Sequence, residues 1–211
     1  MYLSRMQLDV TKRATMRALA APNLFHGAVE SAFPGERRRN LWRIDELDGK
    51  KYLLLLSEEK PELSGAAEQF GAGNAEPAWE TRTYAPLLER IENGGVWHFR
   101  LVANPTVSLA DGQKSRRGKV NAHITTEYQA EWLLKRAEKH GFSLRPEDLL
   151  IRRSQWYSFC KGADRAHTVT LLAVTYEGTL TVTDRMLFRQ TLTEGIGRAK
   201  AYGMGMLTVV R

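Results

Sequence analysis

Apolar and polar residues alternate from Met1 to Asp9, placing Tyr2, Ser4, Met6 and Leu8 on one side, and this period of two predicts a half-buried strand. The period then lengthens. Met16, Leu19, Ala20, Leu24, Ala28 and Phe33 recur mostly at three- to five-residue steps, which predicts an amphipathic helix over residues 15–33. Ala21-Pro22 interrupts it, because proline has no N–H for the helical ladder and clashes with the preceding turn, so His26 falls in a second piece. Two strand-like runs, 40–48 and 50–57, are separated by Asp48-Gly49, a pair suited to a two-residue hairpin turn. A helix over 62–70 closed by Gly71 to Gly73, an edge-like strand over 79–84, a helical piece over 86–91 and a turn at Asn93-Gly94-Gly95 follow. Residues 96–103 read as strand again, with Trp97, Phe99 and Leu101 facing one way. The first half is therefore βαββαβ.

Residues 106–121 break this rhythm with Asp111-Gly112-Gln113-Lys114-Ser115-Arg116-Arg117-Gly118-Lys119, a basic loop. Beyond it, Thr125 or Thr126 is placed to N-cap a helix whose buried stripe is Ala130, Leu133, Leu134 and Ala137, ended by Lys139-His140-Gly141. Residues 149–161 and 167–176 predict a hairpin with a cationic connection, Lys161-Gly162-Ala163-Asp164-Arg165, and strand continues over 178–183. A helix over 184–194 and a strand over 206–210 close the chain. The second half approximates the plan of the first, without a clean first strand. No line-by-line repeat accompanies it, but the shared element order predicts an α+β protein of two tandem ferredoxin-like (βαββαβ) domains: 1–105, a basic linker 106–122, and 123–211. Helices on one face of each sheet leave the other face, or a groove between units, for a ligand.

Composition narrows the class. At 211 residues the chain is long enough for two domains that each bury a core, and 43% apolar with 26% charged residues is ordinary for a globular protein. The longest apolar run, 52–56, is strand-sized, and Arg5 and Asp9 interrupt the N-terminus, so neither a membrane span nor a signal peptide is predicted and the expected location is cytoplasmic. Charge is divided unevenly. Residues 1–111 hold 14 Lys+Arg against 15 Asp+Glu, a net of −1, whereas residues 112–211 hold 17 against 9, a net of +8. A one-sided basic excess is the electrostatic footprint of a nucleic-acid partner, although an acidic membrane surface attracts the same pattern.

Candidate chemistry is sparse. The histidines at 26, 98, 123, 140 and 167 are scattered and lack ligand spacing, so no metal site and no cofactor are expected. There is no Gly-x-Ser-x-Gly elbow, and Cys160 beside Phe159 reads as a packing residue. Acid–base chemistry remains, with His26 as the candidate because imidazole exchanges protons near neutrality. His98 shares an outward strand face with Arg100, His140 suits a helix C-terminus, and His123 and His167 flank basic turns where RNA contact is feasible. The stretch Gly195-Ile196-Gly197-Arg198-Ala199-Lys200-Ala201-Tyr202-Gly203-Met204-Gly205-Met206 interleaves four glycines with two cations. It runs from helix into strand and lacks a Gly-Lys-Ser/Thr ending, which excludes a P-loop or dinucleotide loop. Two readings stay open: a backbone that approaches a phosphate chain closely at Gly203 and Gly205, with Arg198 and Lys200 as counter-charges, or a helix cap, turn and bulge before a last strand.

Met1-Tyr2-Leu3-Ser4, Leu24-Phe25-His26 with Phe33-Pro34, residues 99–105, residues 175–183 and above all Gly195 to Leu207 together resemble the CasE family of CRISPR-associated endoribonucleases, over nearly the whole chain and in the same order. The resemblance implies a tandem ferredoxin-like protein that binds the stem-loop of a CRISPR repeat and cuts the precursor RNA at the 3′ base of the stem. It implies a metal-independent cut, by attack of a 2′-hydroxyl on the neighbouring phosphate, and a product retained within the Cascade surveillance complex with its other subunits. The family's histidine falls on His26. A tyrosine common three residues earlier is replaced by Asn23, which does not transfer protons usefully, so the second acid–base group is open, with Lys12 and Lys200 as candidates. RNA contact is expected from Arg116, Arg117 and Lys119 of the basic loop, from Lys161 and Arg165 of the hairpin tip, and from Arg198, Lys200, Gly203 and Gly205. The alternative is a non-catalytic RNA-binding subunit of the same fold.

Overall fold

Strand β1 (Tyr2–Gln7) leads into helices α1 (Arg13–Ala20) and α2 (Asn23–Ser31), the hairpin β2 (Leu41–Leu47) and β3 (Lys50–Ser57), helix α3 (Ser64–Phe70) and strand β4 (Trp79–Thr83). This computed structural model describes residues 1–35, 39–73, 75–108, 120–161 and 167–211, the side chains of Lys161 and His167 excepted. The four strands form one antiparallel sheet in the order β2-β3-β1-β4, the arrangement of a ferredoxin-like unit. Asp48 and Gly49 take φ of 51° and 72°, the two positive values that a type I′ hairpin needs. Helix α4 (Ala85–Glu89) then precedes β5 (Val96–Ala103), the short pair β6 (Thr106–Ser108) and β7 (Val120–Ala122), helix α5 (Thr126–Ala137) and β8 (Phe142–Ser143). The long strands β9 (Leu149–Lys161) and β10 (His167–Val182), helix α6 (Arg185–Glu194) and β11 (Leu207–Val210) complete the chain. The second sheet runs β11-β5-β10, and the outer edge of β10 pairs with β9 over most of its length and with β8 at its end. The protein is a tandem of ferredoxin-like units.

The strand at 96–103, expected to close the first unit, opens the second. β5 pairs with β10 and β11 and with no strand of the first sheet, so β4, shorter and at the edge, completes the first unit. The second unit therefore has the clean first strand that its sequence was not expected to supply. Hydrophobic alternation fixes which face of a strand is buried but not against which sheet, and that ambiguity misplaced β5.

The continuous apolar run of β3 now has its reason. Leu53 and Leu55 pack with Met6, Phe25, Val29 and Phe70 in a core between the first sheet and its helices. Leu54 and Leu56 face the other way, joining Leu41, Trp97, Leu101 and Met206 in a core that the two units share. A strand buried on both faces reads as an uninterrupted apolar run. The same division splits β2: Trp42 and Ile44 face the first unit's helices, while Leu41, Arg43 and Asp45 face the second sheet.

Arg43, only 1% exposed, joins the units. Its Nε and Nη2 donate to the two Asp45 carboxylate oxygens at 2.8 and 2.6 Å. Nη1 donates to the carbonyls of Arg100 and Met206 at 3.0 and 2.8 Å, and Nη2 also reaches Thr208 Oγ1 at 2.8 Å. Every N–H of the guanidinium is thus engaged, which is what a buried cation requires. Arg100 in turn bonds Glu177 and lies 3.7 Å from Asp45, and Arg152 bonds Glu177, so a chain of alternating charges crosses the junction.

Two further expectations change. The buried stripe of α5 is Gln129, Trp132, Leu133 and Ala137, with Ala130 and Leu134 only half-buried. A polar residue is buried here because Gln129 Nε2 donates to the carbonyls of His123 and Ile124, while its Oε1 accepts from Ser154 Oγ. Cys160 is exposed rather than packed: on β9 it alternates with buried Phe159 and points to the solvent face. Among the described residues no helix is long and apolar enough to cross a membrane.

Candidate functional site

Helix α2 begins directly after Pro22, whose fixed φ suits a helix start, and it buries Phe25, Ala28 and Val29. The Phe25 ring lies 5.9 Å from Trp42 and 4.9 Å from Phe70, which anchors the helix against the first sheet. His26 stands beside this anchor with its side chain 37% exposed, and its Nδ1 is 3.9 Å from the Glu30 carboxylate one turn on. Asn23 precedes His26 by three positions and so shares its side of the helix. The Asn23 Oδ1 is buried and has no hydrogen-bond partner among the described residues.

Helix α6 ends at Gly195, at φ +74°, where the glycine-rich stretch begins. The loop folds back on itself, Ile196 N donating to the Gly205 carbonyl at 2.8 Å, and Ile196, Met204 and Met206 are fully buried. Its turn at Lys200–Tyr202 packs against α2 and β2, so the loop and the histidine helix are neighbours. Two glycines seat it on two tryptophans: a Cβ on Gly203 would stand 2.7 Å from the Trp42 ring, and one on Gly197 would stand 3.1 Å from the Trp132 ring. A Cβ on Gly205 would meet the Ile196 carbonyl at 2.8 Å. The close approach that Gly203 and Gly205 were expected to offer RNA is thus taken by the protein itself, and both residues are buried. Of the two open readings, this packing supports the structural one at these two positions.

The remaining predicted residues separate. Arg198 is exposed next to Gly197. Lys200 is half-buried, and its Nζ donates to the Glu194 carbonyl at the end of α6 at 2.6 Å. Burial, and after it the Arg39 charge, push the Lys200 ammonium below its ordinary pKa. Lys12 is occupied elsewhere, its Nζ donating to the carbonyls of Glu68 and Gly71 at 2.9 Å each and capping α3. Arg116, Arg117, Lys119, Arg165 and the Lys161 side chain lie outside the described residues.

Between the two sheets lies a cavity of about 640 Å³, lined on one part by Pro22, Phe25, Trp42 and Tyr202 and on another by Arg100, Arg152 and Arg153. Sequence reasoning passed over Tyr202, whose ring meets Phe159 edge-on at 5.1 Å, and over the Arg43 clip. The clip had a readable signal: Arg43 and Asp45 stand at alternate positions with Leu41, on an inward face where lone charges are rare. Among the described residues no group of three or more His, Cys, Asp or Glu side chains is arranged to hold a metal ion.

The sequence profile of the family described as CRISPR-associated protein matches residues 1–211. The chain belongs to this family. Among the relatives of this CRISPR-associated protein is the CRISPR-associated endoribonuclease Cse3 of Thermus thermophilus, 29% identical over 99% of each chain. The Cascade subunit CasE of Escherichia coli is 30% identical over 57% of this chain and 60% of its own. A Cse3 endoribonuclease bound to a 19-nucleotide RNA superposes with a TM-score of 0.82 at 27% identity, covering 100% of both chains.

The packing role of the glycine-rich loop is open to a direct check. Gly203→Val is expected to lower stability by roughly 1–3 kcal/mol from its positive φ alone, with a further loss as Trp42 is displaced. Urea denaturation reads this. A variant as stable as the parent but weakened in RNA affinity returns Gly203 to the interface.

Proposed function

We propose that this CRISPR-associated protein is a metal-independent endoribonuclease that binds the stem-loop of a CRISPR repeat and cuts the precursor RNA at the 3′ base of the stem. The observation that carries this is the full-length likeness to RNA-bound Cse3 endoribonuclease chains, covering 100% of this chain. The product stays bound and the protein acts within a Cascade complex, a reading supported by the likeness to CasE, and it works in the cytoplasm.

The chemistry needs little from the protein. The substrate's own 2′-oxygen attacks the adjacent phosphorus, the bond from phosphorus to the 5′-oxygen breaks, and the products carry a 2′,3′-cyclic phosphate and a 5′-hydroxyl. One proton leaves the 2′-hydroxyl and one reaches the departing 5′-oxygen. Holding the nucleotide in line and moving these protons is the enzyme's share. His26, half-exposed on α2, is the proton-transfer group, and Arg198 with the basic loop and hairpin tip supplies phosphate contacts. Of the two lysines proposed as the second group, Lys200 stands in the turn that packs against α2 and bonds one carbonyl, whereas Lys12 is tied to two.

Two RNAs test the reading: a hairpin of the repeat from a neighbouring CRISPR array, and the same hairpin with a 2′-deoxyribose before the cut. The first is expected to be cut to a cyclic-phosphate end in EDTA as well as in magnesium, and the second bound and left intact. Cleavage of the deoxy substrate, or dependence on metal, overturns the mechanism. Asn23 in place of a tyrosine favours the second reading, a non-catalytic RNA-binding subunit, and tight binding of the first hairpin with no cleavage would establish it.

A further inference from the structure

Away from α2, on the far side of the glycine-rich loop, four chain segments, β6 among them, converge on a second cavity of about 370 Å³. The turn between β7 and α5 supplies His123, the exposed side of α5 supplies Tyr128, Lys135 and Arg136, and the loop supplies Arg198. We propose that this cavity binds one unpaired nucleotide flanking the RNA stem, its base stacked on the Tyr128–His123 pair and its phosphate held by Arg198 and Arg136. The proposal rests on the reading of the protein as an RNA-hairpin binder and adds to it a place for single-stranded RNA.

The stacking surface is built and held. Tyr128 is 57% exposed, unusual for an aromatic ring on a helix with a buried face, and the His123 ring stacks on it at 5.9 Å with 29° between planes. His123 is held by its backbone: its N–H donates to the Pro105 carbonyl at 2.9 Å, and its own carbonyl accepts from buried Gln129 at 3.0 Å. Gln129 also accepts from Ser154 through Oε1, and its carbonyl accepts the Tyr176 hydroxyl, so the platform is tied to the second sheet. An exposed, rigidly held aromatic pair offers a π-face that any base can use, whatever its sequence.

The cations are placed as a phosphate site requires. Arg136 lies over the Trp132 ring at 4.3 Å and donates to the Trp132 carbonyl at 2.9 Å, which orients the guanidinium before any ligand arrives. Arg198 is delivered by close packing of Gly197 on the Trp132 ring and by backbone pairing of its own residue with Asn104. Among the described residues no carboxylate pairs with Arg198, whereas Lys135 is matched by Glu131 at 2.6 Å. Counted over the described residues, the cavity keeps two positive charges without a carboxylate partner, Arg198 and Arg136. Stacking ring and positive charge together match a nucleotide rather than an apolar side chain.

The test compares two probes on the full chain: a blunt repeat hairpin, and the same hairpin with a five-adenosine single-stranded flank carrying 2-aminopurine, made on the 5′ and on the 3′ strand in turn. One flank is expected to raise wild-type affinity about tenfold and to quench the 2-aminopurine, as one stacked base would. Tyr128→Ala should bring the flanked-to-blunt affinity ratio near one and restore the fluorescence, Tyr128→Phe should keep both, and Arg198→Ala should lower the ratio. If the wild type binds the blunt hairpin but neither flank adds affinity, the cavity is not a nucleotide site and the hairpin reading stands. If flank affinity survives Tyr128→Ala, single-stranded RNA lies elsewhere and the proposal is wrong. If the wild type binds neither hairpin, both readings fall.

Discussion

His26→Ala is expected to slow single-turnover cleavage of the repeat hairpin by roughly 10²-fold or more with little change in RNA affinity, because proton transfer matters only in the transition state. The structure makes the substitution clean. Phe25 and not His26 fills the core beneath α2, and among the described residues the His26 side chain has one ionic contact, 3.9 Å to Glu30 on its own helix. Loss of the imidazole therefore leaves the helix and its anchor on Trp42 in place, and a fall in rate reports chemistry and not unfolding. Asn23 sharpens the outcome. With no tyrosine on that side of the helix, the rate left in the variant belongs to Lys200 or to the alignment of the RNA itself, and a double substitution of His26 and Lys200 separates the two. A His26→Ala protein that cuts at the parental rate removes the histidine from the mechanism.

The largest effect on stability is expected at Arg43. Arg43→Met leaves Asp45 buried without its bidentate partner and strips donors from two backbone carbonyls, and breaking a buried pair in this way costs about 3–5 kcal/mol. For a chain of this size that is a fall in melting temperature on the order of 10 °C. Replacing Asp45 by leucine in the same protein should recover much of the loss, since a buried pair exchanged for apolar side chains is often neutral. Urea melts of the single and double variants decide it: a single variant that loses less than about 1 kcal/mol would mean that the pair behaves like an exposed salt bridge.

Most elements were legible from the sequence because each carried a local signal. The Asp48-Gly49 turn, the break at Pro22 and the Thr125 cap depend on a few adjacent residues and stand where such residues predict. What escaped was decided by partners far along the chain. β5 alternates as any half-buried strand does, and only its pairing with β10 and β11 places it in the second unit. Gln129 is polar, so an apolar stripe drawn on α5 omits it, yet the carbonyls of residues 123 and 124 draw it inward. Glycines in the loop were recognised as close-approach positions, but whether the approaching group is a phosphate or the Trp42 ring is invisible without the fold. His26 was reachable through family likeness; an isolated histidine in a helical pattern says little by itself.

The Arg43 clip also acts as a gauge. With its guanidinium engaged on every side, the separation of the two sheets at this point is fixed by the reach of one arginine side chain from β2 to the carbonyls before and within the opposite sheet. The cavity between them is therefore a slot of set width and not a jaw. Fitting an RNA then falls to parts that stand clear of the gauge, such as the rim of α2, while the frame behind them holds its dimensions from one substrate to the next.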